Sequence, residues 1–216
     1  MDDPIQRHPT RAEQLDILAS VVAKTVKNGE KIIDLGFGDG YVAHLLWAKK
    51  PDLSIIGVDR KAKALESARQ AFSDFDIACV EGDLEKINDL ALPSGPYACI
   101  YSVLTFHDLP DVAKRSVIDW TAKNLAPGGV FLLFDRLRMT DASLFPLQIE
   151  IWDRIERELG AAMRTAPDFD QYVTDLGVDN RPGSLDEYRA WFDDAGLAFQ
   201  PLHIHGNVAL MAGARR

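Results

Sequence analysis

The densest chemistry in this chain is one short stretch, Asp34-Leu35-Gly36-Phe37-Gly38-Asp39-Gly40. It follows an apolar run, Lys31 to Leu35, that reads as a buried first strand, and it precedes a helix beginning at Tyr41. Glycines at such a junction let the backbone pass close to a ligand. The helix start favours a negative group, and ligands of open α/β sheets bind at the carboxyl ends of strands. Two further carboxylates stand at matching points. Asp59 ends the second strand, and Asp83 follows the third in Glu81-Gly82-Asp83-Leu84. Asp59, with Arg60 beside it, could accept hydrogen bonds from both hydroxyls of a ribose, or could cap the next helix. Asp83 could accept from the exocyclic amine of an adenine with Leu84 against the ring, or could simply order a turn.

Two cofactor classes compete for this loop. A dinucleotide fingerprint needs Gly-x-Gly-x-x-Gly, and from Gly36 its third glycine would fall on Tyr41. The glycines recur instead at every second residue. Asp34 and Asp39 are poor company for a pyrophosphate and better company for an ammonium or sulfonium charge.

The elements that must hold these residues alternate strand and helix, which implies a parallel sheet covered on both faces. A capping box, Thr10 to Glu13, opens a first helix carrying Leu15, Leu18, Val22 and Val26 at helical spacing, within an N-terminal cap spanning 1–29. Strands are expected at 31–35, 54–59, 77–80, 97–103 and 130–135, the last entered by a turn at Pro127-Gly128-Gly129. Residues 138–183 are too long for a plain connection and read as a helical insertion. Its helix places Leu144, Leu147, Ile151, Ile155 and Leu159 on one face, and a loose stretch follows. Ser184-Leu185-Asp186-Glu187 is a second capping box. Two last strands joined at His205-Gly206 must form an antiparallel hairpin, because a parallel pair needs a crossover.

With these segments in hand, the chain resembles the class I S-adenosylmethionine-dependent methyltransferases, in the small-molecule group of the trans-aconitate and quinone-biosynthesis enzymes. The resemblance rests on Ile33 to Gly40, Val58-Asp59, Gly82-Asp83-Leu84, Tyr101 to Asp108, and Leu125-Ala126-Pro127-Gly128-Gly129, five segments in order. It implies an α/β, Rossmann-like seven-stranded sheet of order 3-2-1-4-5-7-6 with strand seven antiparallel, and S-adenosyl-L-methionine as cofactor. It implies that Asp34, Gly36, Phe37, Gly38 and Gly40 lie against the methionine end and that Asp59 holds the ribose. Asp83 and Leu84 would frame the adenine, and Ser102 would lie near the cofactor at the tip of strand four. Relatives often begin that strand with an acidic residue, whereas here it reads Gly95-Pro96-Tyr97-Ala98.

A sulfonium methyl is already a good electrophile, so such an enzyme mainly aligns a nucleophile and excludes water. His107 is the candidate base, with pocket shaping as its alternative role. The fourth strand lacks the Asn/Asp-Pro-Pro-aromatic run of enzymes that methylate exocyclic amines of nucleic-acid bases, a Pro-Cys nucleophile, and a tip aspartate for metal-dependent catechol chemistry. Asp135, at the tip of strand five, is read as capping or orienting substrate. The insertion reads as a lid with Trp152, Arg154, Arg164, Tyr172 and Arg181 as candidate substrate contacts, an arginine being the partner for a carboxylic acid. Arg7-His8 could also cover the site. His203 and His205 share a strand face and are read as structural; no metal is expected.

The bulk numbers narrow the rest. The 216 residues, 47% hydrophobic and 26% charged, suit one globular domain. The formal charge of −9, from 24 basic against 33 acidic residues, argues against nucleic acid, which favours a basic face. No run suggests a membrane span or a secretory leader, so the cytoplasm is expected. Cys79 and Cys99 read as buried small hydrophobes. The expected partner is a small-molecule methyl acceptor, methylated at oxygen, with a homodimer left open. The competing functions are a tRNA- or protein-directed methyltransferase, a non-catalytic cofactor-binding protein of the same fold, and an NAD-dependent oxidoreductase.

Overall fold

The structure, a computed structural model, describes residues 10–160, 166–177 and 180–215. Its elements follow the sequence pattern: α1 (Arg11–Thr25), β1 (Lys31–Leu35), α2 (Tyr41–Lys49), β2 (Ser54–Asp59), α3 (Ala62–Ala71) and β3 (Ile77–Glu81). Then come β4 (Tyr97–Val103), α4 (Asp111–Asn124), β5 (Leu125–Arg136), α5 (Phe145–Leu159), α6 (Phe169–Asp175), α7 (Leu185–Asp194), β6 (Leu197–His205) and β7 (Val208–Arg215). The strands form one sheet in the order β3-β2-β1-β4-β5-β7-β6. Strands β1 to β5 pair in parallel, and β7 runs antiparallel to both β5 and β6.

The sheet divides the core in two. On one face Leu15, Leu18, Ala43, Leu46 and Leu65 bring α1, α2 and α3 onto Ile32, Ile55 and Tyr101. On the other, Val117, Ile118, Trp191 and Phe192 bring α4 and α7 onto Ile33, Ile100 and Phe131. The central strands are apolar on both faces, so their near-continuous hydrophobic runs are what a sheet covered on both sides requires. Parallel pairing then sends the ends of β1, β2, β3 and β4 to one edge of the sheet, where their following loops converge.

Four details differ from the sequence expectation. Thr10 precedes α1 with no side-chain capping bond, whereas the second capping box is complete: Glu187 N donates to Ser184 Oγ and Ser184 N to Glu187 Oε2. Pro127-Gly128-Gly129 lies within β5 rather than before it, beside a register shift against Tyr97 and Cys99. Gly129 has no room for a side chain there, since an added Cβ would come within 2.9 Å of the Tyr97 carbonyl. The loose stretch of the insertion contains α6, whose first turn is capped by Asp168 accepting from Gln171 N.

The fourth difference is the face of α5. Its inward residues are Phe145, Gln148, Trp152 and Ile155, while Leu144, Leu147, Ile151 and Leu159 are exposed. The inward face is the aromatic one, because Phe145 and Trp152 close a small separate core with Phe169 and Tyr172. Among the described residues, no helix is long and apolar enough to cross a membrane.

Candidate active site

The loop after β1 is shaped by what its glycines leave out. Gly36, Gly38 and Gly40 all have positive φ. The nitrogens of Gly36 and Phe37 both donate to the Val58 carbonyl, pinning the turn to β2. Phe37 points inward: an added Cβ at Gly57 would come within 2.4 Å of its ring, so the bare glycine of β2 makes space for it. It is therefore a plug beneath the loop rather than part of a ligand surface, a correction to the sequence expectation. Gly40 likewise lies against Phe37 and Phe72.

Above this loop lies a cleft of about 210 Å3, lined by Gly36, Gly38, Asp59, Arg60, Asp83 and Leu84 among the expected residues. Asp59 Oδ2 accepts from Gly38 N at 2.7 Å and Oδ1 from Lys61 N at 2.9 Å. Asp83 Oδ1 accepts from Glu85 N at 3.0 Å. Each aspartate thus orders its own loop and still faces the cleft. A carboxylate has about four lone-pair sites, so both roles fit on one side chain. Leu104, Thr105, Lys61, Asp108 and Leu109 complete the wall and escaped sequence reasoning as individual contacts. Leu104 has φ of +52°, a conformation unusual for a leucine, and no sequence signal marks it.

Asp34 and Ser102 sit below the cleft. Ser102 is fully buried and donates to the Leu35 carbonyl at 2.6 Å, so it ties β4 to β1 and does not line the cleft, contrary to expectation. Burial pushes the Asp34 carboxyl well above the usual carboxylate range; the nearby Tyr101 hydroxyl lowers it in part, and Asp59 raises it. Neither Asp34 Oδ1 nor the Tyr101 hydroxyl completes a hydrogen bond among the described residues.

At the tips of β4 and β5 stands a buried pair. His107 Nδ1 lies 2.6 Å from Asp135 Oδ1, and His107 N donates to Asp135 Oδ2 at 2.8 Å. Arg136 N also donates to Asp135 Oδ1 at 2.7 Å. Asp135 is fully buried, so it reaches the site through His107 and not by direct substrate contact, which corrects its expected role. His107 Nε2 points to Asp108, 3.4 Å from its Oδ1, and Asp108 lines the cleft. Arg181 Nη2 holds the Asp108 carbonyl at 2.7 Å.

Of the expected substrate contacts of the insertion, among the described residues Arg181 alone reaches this turn. Trp152 and Tyr172 lie in the insertion's own core, and the Tyr172 hydroxyl accepts from Met139 N at 3.0 Å. Arg154 lies near His205, whose pKa it lowers along with burial and His203. His203 Nε2 is 3.3 Å from Glu13. Arg164, Arg7 and His8 lie outside the described residues.

These residues fit S-adenosylmethionine. The glycines leave a backbone cradle, since an added Cβ at Gly38 would meet nothing within 4 Å. Asp59 and Asp83 stand in the cleft at two neighbouring strand ends, and one oxygen of the buried Asp34 carboxyl beneath them has no hydrogen-bond partner among the described residues. Comparison with known proteins agrees. Residues 32–129 match the methyltransferase domain family. The carboxy-S-adenosyl-L-methionine synthase of Campylobacter lari is 24% identical over 160 residues, covering 74% of this chain and 67% of that one. The trans-aconitate 2-methyltransferase of Azoarcus sp. is 32% identical over 124 residues, 57% of this chain and 44% of the relative. An O-methyltransferase family protein from Burkholderia thailandensis superimposes with a TM-score of 0.68 at 18% identity, over 95% of this chain and 56% of that one. The chain thus spans about half to two thirds of the length of these proteins.

The fold is that of the Rossmann-like methyltransferases, and the segment 32–129, which carries the glycine loop, Asp59 and Asp83, is the part that matches a methyltransferase domain.

Two expected results follow from the loop. Gly36→Ala should lower stability by about 2–4 kcal/mol, from strain at positive φ plus overpacking. Gly36 has φ of +98°, and its added Cβ would come within 2.0 Å of Thr105 Oγ1. Denaturant melts check it: adding Thr105→Ala should recover only part of the packing loss, since the Thr105 Cβ itself lies 2.7 Å from the added Cβ, and an unaffected single variant contradicts the geometry. The second concerns pH. Asp34 holds its proton more tightly folded than unfolded, where its pKa is about 3.9. Its contribution to stability is therefore full below that value and is lost as pH rises toward the folded pKa. The stability of wild type relative to Asp34→Asn should fall as pH rises above about 4. Parallel stability curves would show that Asp34 does not titrate as its burial requires.

Proposed function

We propose that this domain methylates an oxygen of a small-molecule acceptor, with His107 as general base and Asp135 as the group that orients it. The pair at 2.6 Å carries this reading. A carboxylate on Nδ1 selects the tautomer with its proton there, which leaves the Nε2 lone pair to receive a proton. Oxygen is the acceptor that most needs such help, since a hydroxyl must lose its proton as it attacks.

S-adenosylmethionine, when bound, supplies a methyl group on a positively charged sulfur. The chain's own residues bind, align and exclude water. In this reading Asp59 and Arg60 hold the ribose side, Asp83 and Leu84 the adenine side, and Gly36 to Gly40 the methionine end. Leu104 and Thr105 form the wall nearest the His107 turn. The insertion, 138–183, acts as the cover over the acceptor. The net charge of −9 supports a small-molecule acceptor over a nucleic acid, and the trans-aconitate methyltransferase among the relatives supports the same class. Action in the cytoplasm is consistent with the composition.

The test is a screen of hydroxylated small molecules for S-adenosylhomocysteine release, with mass spectrometry of the product to locate the methyl group. An O-methyl product formed by wild type supports the reading. A product methylated only at carbon or nitrogen contradicts it.

A further inference from the structure

A second cavity adjoins the segment that bounds the cleft. Asp108 and Leu109 line the cleft, and the next two residues, Pro110 and Asp111, line a recess of about 280 Å3. The rest of its lining is Arg138, just past β5, and Leu176, Asn180, Arg181 and Pro182 of the insertion. Two arginines therefore converge on one small recess in a chain of net charge −9.

The charges around the recess are incompletely matched. Asp111 is taken by Lys114, whose Nζ lies 2.7 Å from its Oδ1. That lysine is fully buried and also donates to the Arg181 carbonyl. Glu187 accepts from Arg138 Nη2 at 2.6 Å and is also occupied in the capping box of α7. Arg181 spends Nη2 on the Asp108 carbonyl, which is neutral, and its buried Nε has no hydrogen-bond partner among the described residues. Arg136 adds a further cation, 3.5 Å from Asn180 Oδ1. Among the described lining residues, two arginines, Arg138 and Arg181, thus accompany one carboxylate, Asp111, which Lys114 already pairs. The recess also receives the start of α4, where Pro110 stands as N-cap without any capping side chain. The first-turn N–H groups and the helix dipole there favour an anion.

We propose that this recess is an anion subsite that seats a carboxylate of the methyl acceptor, with Arg138 and Arg181 as its binding residues. The guanidinium is the planar fork that matches a carboxylate. Because the recess and the cleft share one short segment, a molecule anchored by its carboxylate in the recess has its other end near the His107 turn. The acceptor class is then a hydroxy acid: the carboxylate anchors and the hydroxyl is methylated. This deepens the small-molecule reading above and rests on it for the identity of the ligand, though not for the existence of the subsite.

The experiment is calorimetry on protein saturated with S-adenosylhomocysteine, using citrate and benzoate as probes and benzamide as the neutral control. Wild type should bind at least one carboxylate with a Kd below about 10 mM and should not bind benzamide. Arg181→Gln and Arg138→Gln should each weaken the carboxylate by about tenfold or more while leaving S-adenosylhomocysteine affinity unchanged. Arg189→Gln removes the same charge far from the recess, over the Phe199 ring, and should change nothing. The second recess variant guards against a folding defect in the first, since Arg181 also braces the His107 turn. Absence of carboxylate binding, equal binding of benzamide, or an equal loss in Arg189→Gln overturns the subsite. Failure of S-adenosylhomocysteine to bind at all would overturn the cofactor assignment instead, and is read in a separate titration.

Discussion

Asp59→Ala should weaken binding of S-adenosylhomocysteine by roughly 100-fold or more. A hydrogen bond to a charged group contributes about 1.5–3 kcal/mol, and each 1.4 kcal/mol is a factor of ten. The carboxylate is proposed to accept from two ribose hydroxyls, so both would be lost together. The same side chain also receives Gly38 N and Lys61 N, so the truncation leaves two backbone donors of the binding loop without their acceptor. Asp59→Asn separates these effects. The amide keeps one acceptor oxygen, enough to hold Gly38 N, but loses the charge and one ribose bond. It should cost roughly tenfold and leave stability close to wild type. Calorimetry with the nucleoside, alongside denaturant melts, reads both quantities. Affinity within about threefold of wild type in Asp59→Ala would place the ribose elsewhere.

For the second large effect, His107→Gln should lower kcat by about 10²–10⁴-fold once an acceptor is in hand, the range that a positioned acid or base supplies. Affinity for S-adenosylhomocysteine should not move, because His107 does not line the cofactor cleft. Asp135→Asn should lower kcat comparably through a different cause. An amide nitrogen facing Nδ1 would favour the tautomer with its proton on Nε2, where the base must be free. It would also cost stability, since Asp135 is fully buried and accepts from His107 N and Arg136 N as well. The two variants therefore differ in melting behaviour and agree in rate. Near-normal turnover in His107→Gln would remove it as base and leave it a shaping residue. A rate loss in Asp135→Asn alone would make the pair structural.

The order of elements was legible because both signals that specify it are local. Apolar runs of five to seven residues gave β1, β2 and β4 with the boundaries that the structure shows. The short link at Gly206 required the antiparallel hairpin, and the family resemblance supplied the sheet order. The cleft was legible for a related reason. In a parallel sheet all strand tips at one edge are neighbours, so residues ending successive strands meet without further information. Asp59, Asp83 and the glycine loop were found in this way.

Other features were decided by packing, which no local pattern carries. The face of α5 is one: both the leucine stripe and the aromatic stripe have helical spacing, and only the presence of Phe169 and Tyr172 across the insertion selects Phe145 and Trp152. The direction of Phe37 is another, since it turns inward only because Gly57 of the neighbouring strand leaves room.

By itself, then, the sequence determined which strands exist, which carboxylates stand at their tips, and that a cofactor with a cationic sulfur suits them. The tertiary structure alone decided that His107 and Asp135, 28 positions apart, share a hydrogen bond, and that Arg138 and Arg181 face one recess. The physical reason is range. Secondary structure and strand-tip placement follow from periodicity over a few residues, whereas a buried ion pair or a converging pair of arginines depends on how distant segments settle against the same core.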